Sequence, residues 1–163
     1  YPKENTIIGN KKGKITITEF FDYNCGYCKI MFKTIRKLIQ EDDNLRIVLI
    51  EFPILGESST LASRAALASL YQNYYSLFHQ ELMSFKGQLN KKNIFLIAQK
   101  NGINIKKLKN DMNKPEINNI IKRNKLMAKR LSISGTPAII IGEKLIPGAI
   151  DEKELKEILY NIE

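Results

Sequence analysis

The two cysteines of the chain, Cys25 and Cys28, are separated by two residues. They follow a strand-like segment, Ile15–Phe21, and precede an amphipathic stretch that predicts a helix to about Gln40. Cys25 is therefore expected at the start of a helix, where free backbone N–H groups and the helix dipole stabilise a thiolate. A second thiol one turn later can resolve a mixed disulfide. The spacing predicts thiol–disulfide exchange.

A purely structural role is the weaker interpretation of the cysteine pair. A disulfide that closes so short a loop removes little conformational entropy from the unfolded chain, because the stabilising effect grows with loop length. The same spacing suits a redox pair, with an exposed, activated thiol at Cys25 and a resolving thiol at Cys28. We therefore expect a redox role for both residues.

Metal and cofactor chemistry is not expected from this composition. Two cysteines cannot supply a four-thiolate zinc or iron–sulfur site. The single histidine, His79, lies far along the chain in a segment that predicts a helix, and its simplest interpretation is a half-buried helix residue. The sequence therefore predicts no bound metal and no cofactor.

A second candidate site feature is Thr136-Pro137, which precedes an apolar segment that predicts a strand. Proline is tolerated at the first residue of a strand but donates no ladder hydrogen bond. If the peptide bond is cis, the backbone N–H and C=O of Thr136 become available to an extended substrate beside Cys25. The sequence leaves the isomer open, since cis is the minority state of such bonds.

Glu19 is a third candidate, because it lies among apolar residues of the Ile15–Phe21 segment, six residues before Cys25. A buried carboxyl group near a dithiol can accept or relay the proton of Cys28 through water. The alternative is a solvated glutamate at the edge of the sheet. After the cysteines, Lys29 could support a thiolate, but the basic residues of that helix predict a mostly solvated face: Lys29, Lys33, Arg36 and Lys37.

Length and charge limit the classes of function. The 163 residues, with 44% hydrophobic and 26% charged, suit one soluble domain, and no apolar run is long enough to span a membrane. The chain opens on Tyr1 without the basic-then-apolar pattern of a signal peptide, so a processed or trimmed form is expected. The net charge of +9 comes from scattered lysines, which do not predict a nucleic-acid site.

The element order predicted from periodicity and turn residues is β, β, α, β, several helices, β, β, α. Strand, helix and strand around the cysteines form a βαβ unit, whose crossover implies parallel pairing of Ile15–Phe21 with Leu45–Phe52. Cap candidates at 58–60 open the helical stretch, Gly142-Glu143 predicts a hairpin turn, and Asp151 predicts the cap of a last helix. A mixed sheet interrupted by helices is expected.

These features together resemble the DsbA-like branch of the thioredoxin-fold thiol–disulfide oxidoreductases, exported by bacteria. The resemblance is carried by the segment 19–28 and by Gly135-Thr136-Pro137-Ala138. It implies an α/β thioredoxin-like fold, with a discontinuous domain of residues 1–56 and 132–163 and an inserted all-helical subdomain of residues 57–131. By the same resemblance, Cys25 is the nucleophile, Cys28 the resolving thiol, Pro137 the cis-proline and Glu19 the buried acid.

Two departures from DsbA itself bear on activity. Gly26 and Tyr27 stand between the cysteines in place of Pro-His, and Thr136 stands in place of Val, as in disulfide isomerases of the DsbC and ScsC type. Because Tyr27 cannot stabilise the thiolate as a cation, a weaker oxidant than DsbA is expected. Gly26, Tyr27 and Thr136 are expected to tune the site and to bind substrate.

The resemblance implies a periplasmic or otherwise exported oxidase or isomerase, with its signal segment removed. Its expected partners are unfolded or partly folded substrate proteins and a membrane redox partner that recycles the dithiol. No nucleic acid is expected as a partner, and the chain is not expected to be embedded in a membrane. The alternative is a chaperone-like or adaptor domain that binds proteins in the same groove, with an inactive or structural dithiol.

Overall fold

A computed structural model describes residues 6–161 of the chain. Within this range a five-stranded sheet has the order β1-β3-β2-β4-β5. Strands β2 and β3 pair in parallel, and the other neighbours are antiparallel. The predicted parallel pairing and thioredoxin-like α/β fold are confirmed. The strands are β1 Ile7–Gly9, β2 Ile15–Phe21, β3 Leu45–Glu51, β4 Ala138–Ile141 and β5 Lys144–Pro147.

Seven α-helices surround the sheet in the described part of the chain. Helix α1 links β2 to β3, helices α2 to α6 lie between β3 and β4 in sequence, and α7 follows β5. A short 3₁₀ turn, Leu70–Gln72, separates α2 from α3. The helices are α1 Gly26–Glu41, α2 Glu57–Ser69, α3 Tyr75–Ser84, α4 Lys91–Lys100, α5 Ile105–Met112, α6 Pro115–Arg130 and α7 Glu152–Tyr160.

Four of the seven described α-helices have an N-cap residue whose side chain accepts a capping hydrogen bond: Cys25, Asn90, Asn104 and Asp151. Asn90 and Asn93 form a reciprocal capping box at α4, and the Asp151 side chain accepts a hydrogen bond from the backbone N–H of Glu154 at α7. Helix α2, however, begins at Glu57, before the serines and threonine predicted to cap it. Its N-cap is Gly56, whose φ of 105° favours a residue without a Cβ.

Hydrophobic packing covers both faces of the sheet. One face, with Ile17 and Phe21 of β2, packs against the buried side of α1 and the inserted helices. On the opposite face, a smaller cluster joins Phe20 and Ile50 to Ala128 of α6. Strand β2 therefore lies in the middle of the core. Cys25 lies four residues after Phe21, the last residue of β2, so the core fixes the position of the cysteine motif.

Helix α2 is the centre of the helical stretch and contacts α3, α4, α5 and α6, while α6 also reaches β3. The chain then returns to the sheet, since β4 pairs with β2. The division into a discontinuous domain of residues 1–56 and 132–163 and an insert of residues 57–131 stays a prediction. Residues 1–5 and 162–163 of the predicted domain lie outside the described residues. Among the described helices, none is long and apolar enough to cross a membrane.

Candidate active site

Cys25 is the N-cap of α1, as its position in the sequence predicts. Its Sγ accepts a hydrogen bond from the backbone N–H of Cys28 at 3.2 Å. The hydrogen bond with the Cys28 thiol, helped by Thr136 and by backbone N–H groups of the first turn, lowers the pKa of Cys25 to about 6 against the opposing effect of burial. Both cysteines are free thiols. Cys25 is thus equipped to act as a thiolate at neutral pH.

The two thiols differ sharply in their surroundings. Cys28 is fully buried, and burial raises the pKa of its thiol well above the ordinary value. Cys25 is 6% exposed, so the expectation of an openly exposed first thiol is wrong. Its side chain is covered because it packs into the large core cluster. Its neighbours Gly26 and Tyr27 are both exposed.

The Thr136–Pro137 segment lies directly against the first cysteine. The Cys25 thiol donates to the carbonyl oxygen of Thr136 at 3.3 Å, although the two residues are 111 positions apart. The Thr136–Pro137 peptide bond is cis. Strand β4 begins directly after Pro137, at Ala138, and the Pro137 carbonyl accepts from the N–H of Gly148 at 2.8 Å. The fold therefore brings the two predicted halves of the site together.

Glu19 is buried in β2, with 2% of its surface exposed, so a solvated position at the sheet edge is wrong. Burial, followed by the negative charge of Cys25, raises the pKa of Glu19 to about 8. The charge of Glu19 in turn contributes to the raised pKa of Cys28. Its Oε1 makes no hydrogen bond to the described residues. A neutral carboxyl group near both thiols can hold a proton for exchange; its catalytic role stays a prediction.

Asp22 holds the segment between β2 and Cys25, and the sequence analysis did not identify it. Its Oδ1 accepts from the backbone N–H of Asn24 at 2.8 Å and from the hydroxyl of Ser59 at 2.7 Å. Its Oδ2 accepts from the backbone N–H groups of Ile54 and Leu55 at 2.8 and 3.0 Å. A polar residue directly after a buried strand was the available signal. Asp22 fixes the approach to the cysteines against α2.

Glu51 is the centre of a second buried network that the sequence did not reveal. Its Oε1 accepts from the hydroxyls of Tyr23 and Tyr75 at 3.0 and 2.9 Å, and its Oε2 accepts from the hydroxyl of Ser63 at 2.7 Å. Burial raises the pKa of Glu51 to about 8, although the three hydroxyls oppose the shift. The network ties β3, α2 and α3 to the segment that precedes Cys25.

His79 belongs to the same network and is 2% exposed, so the expected half-buried position is wrong. Its Nδ1 lies 3.0 Å from the Tyr23 hydroxyl. Its ring also contacts several aromatic rings, those of Phe21 and Phe32 among them. Burial lowers the pKa of His79 to about 3, so the ring is neutral. Among residues 6–161, no group of three or more potential metal ligands comes together.

Lys29 does not reach the thiolate. Its Nζ donates to the backbone carbonyl oxygens of Phe85 and, at 3.1 Å, of Gly87. Burial lowers the pKa of Lys29. This lysine therefore fastens the start of α1 to the loop that follows α3. Any help that it gives to Cys25 acts over a longer range than a hydrogen bond.

The ionisation of Cys25 gives a direct test of this geometry. In the reduced protein, the rate of alkylation by iodoacetamide should follow one titration with a midpoint near pH 6. The folded-state pKa lies below the ordinary value of 9.0, so this group stabilises the reduced fold fully above pH 9 and loses that contribution as the pH falls through 6.

The matched variant for this titration is Cys28→Ala, which removes the thiol hydrogen bond but keeps the backbone N–H. Its midpoint should move upward, because the largest cause of the lowered pKa is lost. A wild-type midpoint near the ordinary thiol value of 9.0 would contradict the assigned environment.

Comparisons with known proteins match nearly the whole chain. A family model described as DSBA-like thioredoxin domain matches residues 16–160. The structure of a thioredoxin-like oxidoreductase from Silicibacter pomeroyi DSS-3 superposes with a TM-score of 0.92 at 36% identity, covering 96% of this chain and 90% of that one. A periplasmic thioredoxin-like protein from Salmonella enterica serovar Typhimurium superposes with a TM-score of 0.89 at 30% identity, covering 99% and 91%.

A curated relative is named for its reaction. The disulfide bond formation protein D of Bacillus subtilis (strain 168) is 22% identical over 169 residues, which cover 96% of this chain and 76% of that protein. The match extends over nearly the whole of the described fold.

Proposed function

Because the chain belongs to the DsbA-like thioredoxin family, and is a thiol–disulfide oxidoreductase, we propose that it forms disulfide bonds in exported substrate proteins. Cys25 is the nucleophile and Cys28 the resolving thiol. The observation that carries this proposal is the contrast between the two thiols: the pKa of Cys25 is lowered to about 6, whereas burial raises that of Cys28.

In the oxidising direction, a substrate thiolate attacks Sγ of Cys25 in the Cys25–Cys28 disulfide. The bond between the two enzyme sulfurs breaks, a mixed disulfide forms, and Cys28 leaves and takes up a proton. A second substrate thiolate then attacks the substrate sulfur of the mixed disulfide. A disulfide forms in the substrate, Cys25 leaves as a thiolate, and two electrons have passed to the enzyme.

Glu19 acts in the step in which the departing Cys28 thiolate is protonated. A buried thiolate is unfavourable because the charge loses its hydration, and the raised pKa of Cys28 expresses that cost. Glu19 is protonated at neutral pH, since its pKa is raised to about 8. It can therefore supply the proton through water as Cys28 departs, and take it back when the site is reoxidised.

The lowered pKa of Cys25 favours oxidation over reduction as the net direction. A stabilised thiolate is a good leaving group, which makes the reduced enzyme the favoured product of exchange. With Tyr27 rather than a cation beside it, the enzyme should be a milder oxidant than DsbA. Disulfide formation also requires an oxidising compartment, so we place the protein outside the cytoplasm, reoxidised by a membrane redox partner.

Substrate chains are proposed to pair with the backbone of Thr136. The Thr136 carbonyl lies 3.3 Å from Sγ of Cys25, so an extended segment bound there presents its cysteine to the nucleophile. Backbone pairing of this kind does not select side chains at the contact itself. This is suited to an enzyme that acts on many unfolded proteins.

Isomerase activity is the second candidate, because Gly26, Tyr27 and Thr136 are shared with isomerases of the DsbC and ScsC type. The two activities are separated by refolding reduced ribonuclease and scrambled ribonuclease in parallel, with sedimentation velocity to count subunits. The oxidised protein should accelerate disulfide formation in the reduced substrate and act weakly on the scrambled one. Faster recovery of the scrambled substrate, by a catalytic amount of reduced protein, would assign isomerisation instead.

A further inference from the structure

A groove runs along α1 on the side that faces the loop after α3. It has a volume of about 750 Å³ and is lined by residues of α1 and of the segment from Met83 to Gly87. At one end its lining includes Asn24 and Gly26, the two neighbours of Cys25, and at the other end it includes Gln40. The groove therefore starts at the nucleophile and leads away from it.

The charges in this groove are all of one sign. Its lining contains five cations and no carboxylate. Lys37 is compensated by Glu152 at 2.8 Å. The other four form no ion pair with a carboxylate of residues 6–161: Lys29, Lys33, Arg36 and Lys86. A positive cleft beside a reactive thiolate raises the local concentration of negatively charged partners.

The floor of the groove is apolar and fixed. Phe32, Met83 and Phe85 contribute to its lining, and the Arg36 guanidinium lies 5.6 Å from the Phe32 ring centroid. Lys29 joins the two walls, because it bonds the carbonyls of Phe85 and Gly87 from α1. The groove is therefore formed before any partner arrives, which lowers the entropy cost of binding.

We propose that this groove binds an extended acidic segment of the protein whose cysteine reacts with Cys25. This inference rests on the proposed function and adds to it the charge of the favoured partner. From Gly26 to Gln40, α1 rises about 21 Å, which an extended chain of about six residues covers. A polypeptide is favoured over other anions because the occupant must also carry the thiol that meets Cys25.

The test uses two synthetic peptides that differ only in charge. Each carries one cysteine as a mixed disulfide with thionitrobenzoate, followed by six residues that are Asp and Gly in one peptide and Asn and Gly in the other. Cys25 attacks the peptide sulfur, thionitrobenzoate leaves, and its absorbance gives the second-order rate constant. For the reduced wild type, we expect the acidic peptide to react about tenfold faster than the neutral one at low salt.

Two charge-matched triple variants distinguish the groove from the overall charge of +9. In Lys33→Gln/Arg36→Gln/Lys86→Gln, the ratio of acidic to neutral rate constants should fall to about one. In the control Lys122→Gln/Lys125→Gln/Lys129→Gln, which removes three exposed cations of α6, the ratio should stay near tenfold. In wild type the ratio should also collapse at 1 M salt, where the Debye length is about 3 Å.

Equal loss of the ratio in both triple variants would overturn the proposal, because overall charge would then explain the preference. A different outcome would be that the wild type shows no preference between the peptides but binds phosphatidylglycerol vesicles. If only the groove variant loses this binding, the proposed acidic segment would be replaced by a lipid surface as the partner of the groove. Failure of the wild type to release thionitrobenzoate from either peptide would instead overturn the proposed function. A neutral peptide that reacts as fast as the acidic one overturns the groove inference alone.

Discussion

Replacing Cys25 by serine should abolish thiol–disulfide exchange, with a loss of at least about three orders of magnitude in rate. A serine hydroxyl is not ionised at neutral pH and cannot form a disulfide, so neither the attack nor the mixed disulfide remains. Insulin reduction followed by turbidity, and oxidation of reduced ribonuclease, both measure the loss. The fold should persist, because the substitution replaces one sulfur by an oxygen at an N-cap, where serine is favoured.

The matched control is Cys28→Ser, which keeps the nucleophile and removes the resolving thiol. This variant should still attack substrates and should accumulate as a mixed disulfide that is visible on a non-reducing gel. Equal rates of insulin reduction for the wild type and Cys25→Ser would contradict the enzyme assignment and favour the chaperone-like alternative.

The second large effect is expected on stability, from Glu51→Ala. Three buried hydroxyls, those of Tyr23, Tyr75 and Ser63, would lose their acceptor, and a cavity would form where β3 meets the helices. The Tyr23 hydroxyl keeps its contact with Nδ1 of His79 at 3.0 Å, so we count three lost hydrogen bonds at about 1 kcal/mol each together with the cavity, and we expect a loss of about 3–5 kcal/mol. Urea unfolding of the oxidised protein measures this loss.

Two control variants accompany Glu51→Ala. Glu143→Ala removes an exposed carboxylate from the turn between β4 and β5 and should change the free energy of unfolding by less than about 0.5 kcal/mol. Glu51→Gln keeps an acceptor for the tyrosines and should cost less than alanine. Similar losses for Glu51→Ala and Glu143→Ala would show that the network contributes little.

The substitution Glu51→Gln should also change how the free energy of unfolding depends on pH. The folded-state pKa of Glu51 is about 8 against an ordinary 4.5, so the folded state holds the proton more tightly. The contribution of Glu51 to stability is fully present below pH 4.5 and is lost as the pH rises through 8. The glutamine does not titrate, so the free energy of unfolding of the variant should decline less steeply with pH than that of the wild type, by up to about 1.4 kcal/mol per pH unit.

Two other buried groups titrate over pH ranges that overlap with that of Glu51, and both remain in the variant. Glu19 has a pKa raised to about 8 and acts in the same direction as Glu51. His79 has a pKa lowered to about 3, so its contribution is present above pH 6.5 and is lost as the pH falls through 3. The comparison between wild type and Glu51→Gln cancels both, and identical slopes would contradict the raised pKa of Glu51.

Local features of the chain were readable from the sequence. The order of strands and helices, the hairpin at Gly142 and the placement of Cys25 at the start of α1 follow from periodicity, turn residues and capping. These patterns act over a few residues, so each segment carries its own signal. The cysteine spacing likewise indicated redox chemistry, and the family match agrees with it.

Contacts between distant segments were decided by the tertiary structure. The sequence did not identify Asp22 and Glu51 as centres of buried networks, because their partners come from segments that are distant in the chain. It placed His79 at partial exposure, since a single helical histidine carries no information about the aromatic rings that pack on it. It predicted a mostly solvated face for the cations of α1, and Lys33, Arg36 and Lys37 are exposed; that they line a groove together with the loop after α3 is decided by a tertiary contact.

The sequence by itself therefore determined the reactive group: a cysteine pair at the start of a helix, within a strand–helix–strand unit. Only the tertiary structure decided what surrounds that group, namely the Thr136 carbonyl at 3.3 Å and the buried carboxyl of Glu19. The physical reason is that helix capping and strand periodicity arise from neighbouring residues. Desolvation and long-range contacts depend instead on how the whole chain packs, and they set the protonation state of both thiols.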